Sequence, residues 1–129
     1  MRYLTITDLM NLTGKSLSEV LKIMGLPSDK AKNGGSINFI YKSKEEITTL
    51  EIFAGKVKTV TIAFIYYNKA YVGSKKFKIK QELIKSGFEL ENLANELRGK
   101  KGNVKVYSST TSSNAKSYIL KLSGVIENK

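Results

Sequence analysis

Cysteine and histidine are both missing from this sequence. Without cysteine there is no disulfide, no thiolate metal site and no cysteine nucleophile. The absence leaves the compartment open, because cysteine-free proteins occur inside and outside cells. Without histidine the chain lacks the side chain most used for acid–base work near neutral pH, and the commonest transition-metal ligand. A conventional hydrolase triad and a zinc site are thereby excluded, and no cofactor or metal is expected. Long apolar runs are missing as well: none reaches the ~20 residues that a bilayer span requires. The N-terminal MRYLTITDLM has one arginine and no continuous apolar segment behind it, so it does not read as a signal peptide. The expected location is the cytoplasm, or outside it once a leader has been removed.

What the chain has in excess is positive charge. Lys and Arg number 22 against 11 Asp and Glu, a formal charge of +11 over 129 residues. Such a length suits a single compact domain, 1–129, with enough burial to fold without a covalent staple. The second half is the more basic: residues 1–72 carry +4 and residues 73–129 carry +7. Excess charge of one sign speaks to partners and solubility, not to fold.

The clearest element lies at 16–25. Ser16 and Glu19 have the S-x-x-E spacing of a capping box, which satisfies backbone N–H groups at a helix start. Leu17, Val20, Leu21 and Met24 then recur at helical spacing. Gly25 closes the helix and Pro27, the sole proline, stops it from resuming. Upstream, TITDLMNLT reads as a further short helical turn, with Thr7 as its cap and Leu9, Met10 and Leu12 buried.

SDKAKNGGS reads as a polar loop, and three strands are predicted after it. SINFIYK (36–42) puts Ile37, Phe39 and Tyr41 on one face; ITTLEIF (47–53) does the same with Leu50 and Ile52. KVKTVTIAFIYY (56–67) puts Val60, Ile62, Phe64 and Tyr66 on one face and the half-polar Thr59, Thr61, Ala63 and Ile65 on the other. Alternation of this kind predicts an antiparallel sheet with one covered side, turning tightly at Ala54-Gly55-Lys56. A helix is expected from about Ser74 to Lys85, with Phe77, Lys80, Leu83 and Ile84 on one side. Over 86–99 two readings compete: a second capping box at Ser86 and Glu89, or a strand beginning at Phe88. A hairpin of 102–109 with 116–124 ends the chain. Sliding the sequence by 73 residues superposes Gly14 on Gly87, Leu17 on Leu90 and Met24 on Leu97, a faint internal repeat with halves 1–72 and 73–129. The fold class is therefore α+β: two helical segments on a mostly antiparallel sheet, with a tandem pseudo-repeat as an option.

Gly14-Lys15-Ser16 has the last three letters of a phosphate-binding loop. That loop requires a glycine five positions before Gly14 so that backbone N–H groups can wrap the phosphates. Here Leu9 stands there, and Ser16 already serves as a cap. Glu45-Glu46 reads as a solvated turn, and Glu89 and Glu91 fit no acid–base pair. The remaining signal is cationic and aromatic. SKKFKIK (74–80) and RGKKGNVKVY (98–107) are lysine clusters, with Tyr66, Tyr67, Tyr71 and Tyr107 near them in sequence. Lysines beside aromatic residues on a sheet suit single-stranded nucleic acid, through phosphate charge and base stacking. No RRM, KH or helix-turn-helix signature accompanies them.

Residues 14–65 carry Gly14, Ser16, Glu19, Val20, Gly25 and Pro27 in one helix, then strands with Gly55, Lys56 and Val57 at a turn. This pattern resembles the helix-plus-sheet unit of the SmpA/OmlA (BamE-like) family of small outer-membrane lipoproteins, and the similar fold of the beta-lactamase-inhibitor protein. The resemblance implies a bacterial binding scaffold whose sheet meets another protein, and it carries over no catalytic residue. The lipidated cysteine of that family has no counterpart here.

The sequence thus predicts a non-enzymatic protein-binding module, inhibitor- or immunity-like. Val57, Thr59, Thr61, Ala63, Ile65 and Tyr67 would form its face, and Lys75, Lys76, Lys78, Lys80, Lys100 and Lys101 with Tyr71 its basic rim. The expected partner is a protein with an acidic surface, drawn in by charge. A single-stranded nucleic acid is the alternative partner. A small enzyme working with Ser, Lys, Tyr or carboxylates alone is the third option, and would need a concave pocket of converging polar groups.

Overall fold

The computed structural model describes residues 5–43, 46–66, 69–91, 97–114 and 117–126. The helices are α1 (Ile6–Met10), α2 (Leu17–Met24) and α3 (Lys69–Lys85). The strands are β1 (Asp29–Asn33), β2 (Ser36–Lys42), β3 (Glu46–Phe53), β4 (Lys56–Tyr66), β5 (Glu89–Leu90), β6 (Arg98–Lys101), β7 (Val104–Asn114) and β8 (Ser117–Ile126). All eight strands join one antiparallel sheet in the order β1-β2-β3-β4-β8-β7-β6-β5. The α+β class and the antiparallel sheet follow the sequence reading; among the described residues three helices stand where the sequence predicts two helical segments. At the proposed repeat offset Leu17 opens a helix while Leu90 lies in a strand.

One face of the sheet is covered. Leu50, Val60, Ile62, Phe64, Leu120, Leu122 and Val106 project from it into a core closed by Leu9, Met10 and Leu12 and by Val72, Ile79 and Leu83 of α3. The capping box that opens α2 is formed in full. Glu19 N donates to Ser16 Oγ (3.3 Å), and Ser16 N donates to Glu19 Oε1 (3.3 Å). That backbone N–H, then the Ser16 hydroxyl, holds the Glu19 carboxyl below its ordinary value. Removing the cap with Ser16→Ala is expected to cost about 1 kcal/mol. A carboxyl whose pKa is depressed on folding stabilises above its unfolded value, and the gain is lost as pH falls through its folded one. Ser16→Ala keeps the backbone N–H and loses the hydroxyl, so only the hydroxyl's lesser share of this gain is removed. The melting-temperature gap from the native chain should therefore narrow slightly on acidification through the carboxylate range, as followed by circular dichroism. Leu21 departs from the expected apolar stripe and lies outward. The first helix is capped by Thr5 with Asp8, so Thr7 lies inside it, while Leu9, Met10 and Leu12 are buried as expected.

Gly14-Lys15-Ser16 is committed to the fold. Gly14 N donates to Val57 O (2.8 Å), Lys15 N to Leu12 O (3.0 Å) and Leu17 N to Gly55 O (2.9 Å), while Val57 N donates back to Lys15 O (2.9 Å). No cradle of outward N–H groups remains for phosphate. The same contacts pin the β3–β4 turn, where Ala54 (φ 52°) and Gly55 (φ 78°) take the left-handed pair that a two-residue hairpin demands.

Three predicted features are corrected. DKAKN is the edge strand β1, joined to β2 through Gly34-Gly35; every residue is exposed, so no apolar alternation announces it. The third helix starts at Lys69, and it buries Val72, Ile79 and Leu83 while Phe77 and Ile84 point outward. Ser86 ends that helix and does not begin another. Phe88 N reaches back to Leu83 O (3.0 Å) and Gly87 N to Ile84 O (3.0 Å), with Gly87 at φ 96°. This is the closure a left-handed glycine makes, with buried Phe88 meeting buried Leu83. Glu89 and Leu90 then pair with Lys100 and Gly99, so the strand reading holds there; 92–96 lie outside the described residues.

Candidate functional site

The side of the sheet opposite the helices carries ladders that can be read across the strands. One runs Lys100, Lys105, Val125, Thr59, Glu51, Asn38; the next runs Arg98, Tyr107, Ser123, Thr61, Thr49, Ile40. A third passes through Ser109, Lys121, Ala63, Ile47 and Lys42. The middle of this face, on β8, β4 and β3, holds the short uncharged side chains of Val125, Thr59, Thr61, Thr49 and Ala63, with Glu51 and Lys121 as charged members at its border. Thr59 Oγ1 donates to Glu51 Oε1 (3.2 Å), fixing one of the few acidic groups there. The cations gather towards β6 and β7: Arg98, Lys100 and Lys105, with Lys121 beside them on β8. Tyr107 lies among them with 45% of its surface exposed. Arg98 also pairs with Glu91 at 3.9 Å across a shallow cleft beside β5.

The residues expected to act together fall on two sides of the molecule. Thr59, Thr61, Ala63, Ile65 and Lys100 belong to the helix-free face. Val57 does not. The register slips between Glu51 and Ile52, leaving Lys58 as the extra residue of a bulge, and Val57 turns into the core. Lys75, Lys76, Lys78, Lys80 and Tyr71 belong to α3, on the covered side. Lys101 is there too: its Nζ donates to Ser86 O (2.7 Å) and lies 5.9 Å from the centre of the Phe88 ring. Tyr67 lies outside the described residues. Lys121 escaped the sequence reading, although its alternation with buried Leu120 and Leu122 marks it as a face residue.

On the covered side a cleft of about 790 Å³ opens between α1, the end of α2, α3 and the sheet. Its apolar wall includes Ile6, Leu9, Ile23, Met24 and Phe64. Three of its polar groups have internal partners. Tyr41 donates its hydroxyl proton to Gly25 O (3.0 Å), and burial raises its pKa. Glu82 Oε1 accepts from Thr7 N (3.3 Å), and Lys75 Nζ lies 4.7 Å from the centre of the Phe64 ring. Chemically the cleft offers an apolar wall under a mixed-charge rim. Among the described residues no group of three or more carboxylates is placed to hold a metal ion, and no helix is long and apolar enough to cross a membrane.

No protein-family model matches the sequence, and no curated protein matches it. The fold is similar to that of a cysteine-rich secretory protein from Staphylococcus aureus subsp. aureus Mu50, with a TM-score of 0.52 and 9% identity over 91% of this chain and 45% of that one. It is also similar to an extracellular protein containing an SCP domain from Bacillus anthracis, with a TM-score of 0.49 and 12% identity over 98% of this chain and 48% of that one. The chain spans about half the length of the solved structures it matches.

Proposed function

We propose that the protein is a non-enzymatic protein-binding module, inhibitor- or immunity-like, that docks an acidic partner on the helix-free face of its sheet. One observation carries this reading. Thr49, Thr61, Ala63 and Val125 form a partly exposed patch of short neutral side chains across three adjacent strands, with Lys121 at its border and Arg98, Lys100 and Lys105 to one end. Short side chains lose little rotamer freedom on contact, so the centre suits close docking. Cations at the end favour fast encounter with an acidic surface. The resemblance of residues 14–65 to the SmpA/OmlA and beta-lactamase-inhibitor-protein unit supports the same reading, at the level of the scaffold. The Staphylococcus aureus structure supports the word module, since a similar fold makes up less than half of that longer chain. We further propose that the two halves, each helical and then a four-stranded meander, are a tandem pseudo-repeat; the mirror-like strand order supports it.

The test is site-specific photo-crosslinking in the native cells. A photoreactive residue at 61 or 63 should capture one discrete protein, and a Lys100→Glu/Lys105→Glu background should reduce that capture. Capture of the same protein in equal yield from position 81 on α3 would overturn the reading.

Tyr107 among Arg98, Lys100, Lys105 and Lys121 favours a second reading, a single-stranded nucleic acid on the β6–β7 end of the same face. Its signature is affinity that falls linearly with salt on log–log axes and collapses with Tyr107→Ala. A mixed oligonucleotide that fails to bind at low salt removes it.

A further inference from the structure

We propose that the outer face of α3 is a docking strip for an anionic lipid bilayer, independent of the partner-binding sheet. A helix that buries one apolar stripe ordinarily shows water a polar opposite face. This one does not. Ala70, Phe77 and Ile84 recur every seven residues on the exposed side, with Phe77 63% and Ile84 48% exposed. Two turns of helix put the two large side chains about 10 Å apart along the axis. Lys80 flanks this row on one side. On the other, beyond Ser74 and Gln81, lies a parallel row of Tyr71, Lys78 and Lys85, with Tyr71 61% exposed. Apolar side chains bordered on both sides by long cations are what an interfacial helix presents, its ring and branched chain entering the acyl boundary while the lysine ammonium groups stay at the headgroups.

Charge names the kind of surface. The helix carries six lysines and a single acidic residue, Glu82, which is turned to α1 by its bond from Thr7 N. Lys101, fastened to Ser86 O, adds another cation at the C-terminal end. Size argues against a protein in this place. A helix of 17 residues offers a strip of about 26 Å by 10 Å, roughly 260 Å², against the ~800 Å² per partner of a standard interface. A bilayer needs only the strip and the charge. The sheet face lies on the other side of the molecule, so a bilayer on α3 leaves it free for a partner.

The chain has no tryptophan, so Phe77→Trp gives a single reporter on the strip. The protein should co-sediment with phosphatidylcholine vesicles containing phosphatidylglycerol, and not with phosphatidylcholine alone. The Phe77→Trp emission should shift to the blue on binding. Lys78→Gln with Lys85→Gln should weaken partitioning about 25-fold, roughly fivefold for each lysine removed from an anionic surface. Phe77→Ser with Ile84→Ser should weaken it about tenfold or more. These side chains are exposed, so each variant should keep the native melting curve. Three results would overturn the proposal: no binding to anionic vesicles at low salt, binding with unchanged emission at residue 77, or an emission shift with polyaspartate and none with vesicles, which would make the strip a protein-docking surface.

Discussion

Ile62→Asp should yield a chain with no cooperative thermal transition, while Thr61→Lys, one residue earlier, should melt within about 3 °C of the native protein. The two positions are neighbours on β4 and face opposite ways. Ile62 is fully buried, flanked across the ladder by Thr48 and Leu122. A carboxylate there would lie among buried apolar side chains. Its uncompensated burial costs several kcal/mol, against the roughly 5–15 kcal/mol that holds a domain together. Even the uncharged Ile62→Ala should cost about 3 kcal/mol through the cavity it leaves. Thr61 stands between Ser123 and Thr49 on the open side, where a lysine extends into solvent. If Thr61→Lys melts natively and loses the crosslinked partner, folding and docking separate at adjacent residues. A Thr61→Lys chain that also failed to fold would mean that this side of the sheet is covered after all.

Gly99→Ala should lower the melting temperature by about 10 °C, corresponding to roughly 3 kcal/mol. The cause is contact, since Gly99 does not have positive φ. A methyl at this position would lie 2.3 Å from Leu90 Cδ2 and 2.5 Å from the backbone oxygen of Glu89. A flexible side chain could step aside; a strand carbonyl cannot do so without loosening the pairing of β5 with β6. Limited proteolysis around 86–91 should accelerate in step with the loss of stability. Gly73→Ala supplies the opposite sign. Its added methyl meets open space in the interior of α3, so better helix propensity should stabilise by up to about 1 kcal/mol. Equal shifts in the two variants would remove the packing explanation.

What could be read beforehand was whatever is decided by neighbours in the chain. Ser16, Glu19 and Gly25 bound α2 through contacts within one or two turns, and the alternation of β2, β3 and β4 marks their buried side directly. The features that misled are decided elsewhere. Ser86 and Glu89 have capping-box spacing, yet the Ser86 hydroxyl donates to Glu82 O (2.9 Å) and helps to close the helix before it. Two apolar stripes compete on α3, and only its packing against the sheet selects Val72-Ile79-Leu83 over Phe77-Ile84. DKAKN owes its strand to ladder bonds with β2, which leave no trace in side-chain pattern. The same logic divides the candidate site. The face residues Thr59 and Thr61 follow from alternation; that the α3 lysines belong to the other side is a fact of topology.

Among the described residues, the pairing of β4 with β8 is the one seam between two sets of strands that otherwise join sequence neighbours. Prised apart there, each half would present a long strand with bare backbone donors and acceptors above an apolar flank, Val60-Ile62-Phe64 on one and Leu120-Leu122 on the other. Such a margin is a template for amyloid-like association. Each segment is thus the chaperone of its sibling, and a nascent chain halted after β4 would be sticky until the final strand emerges.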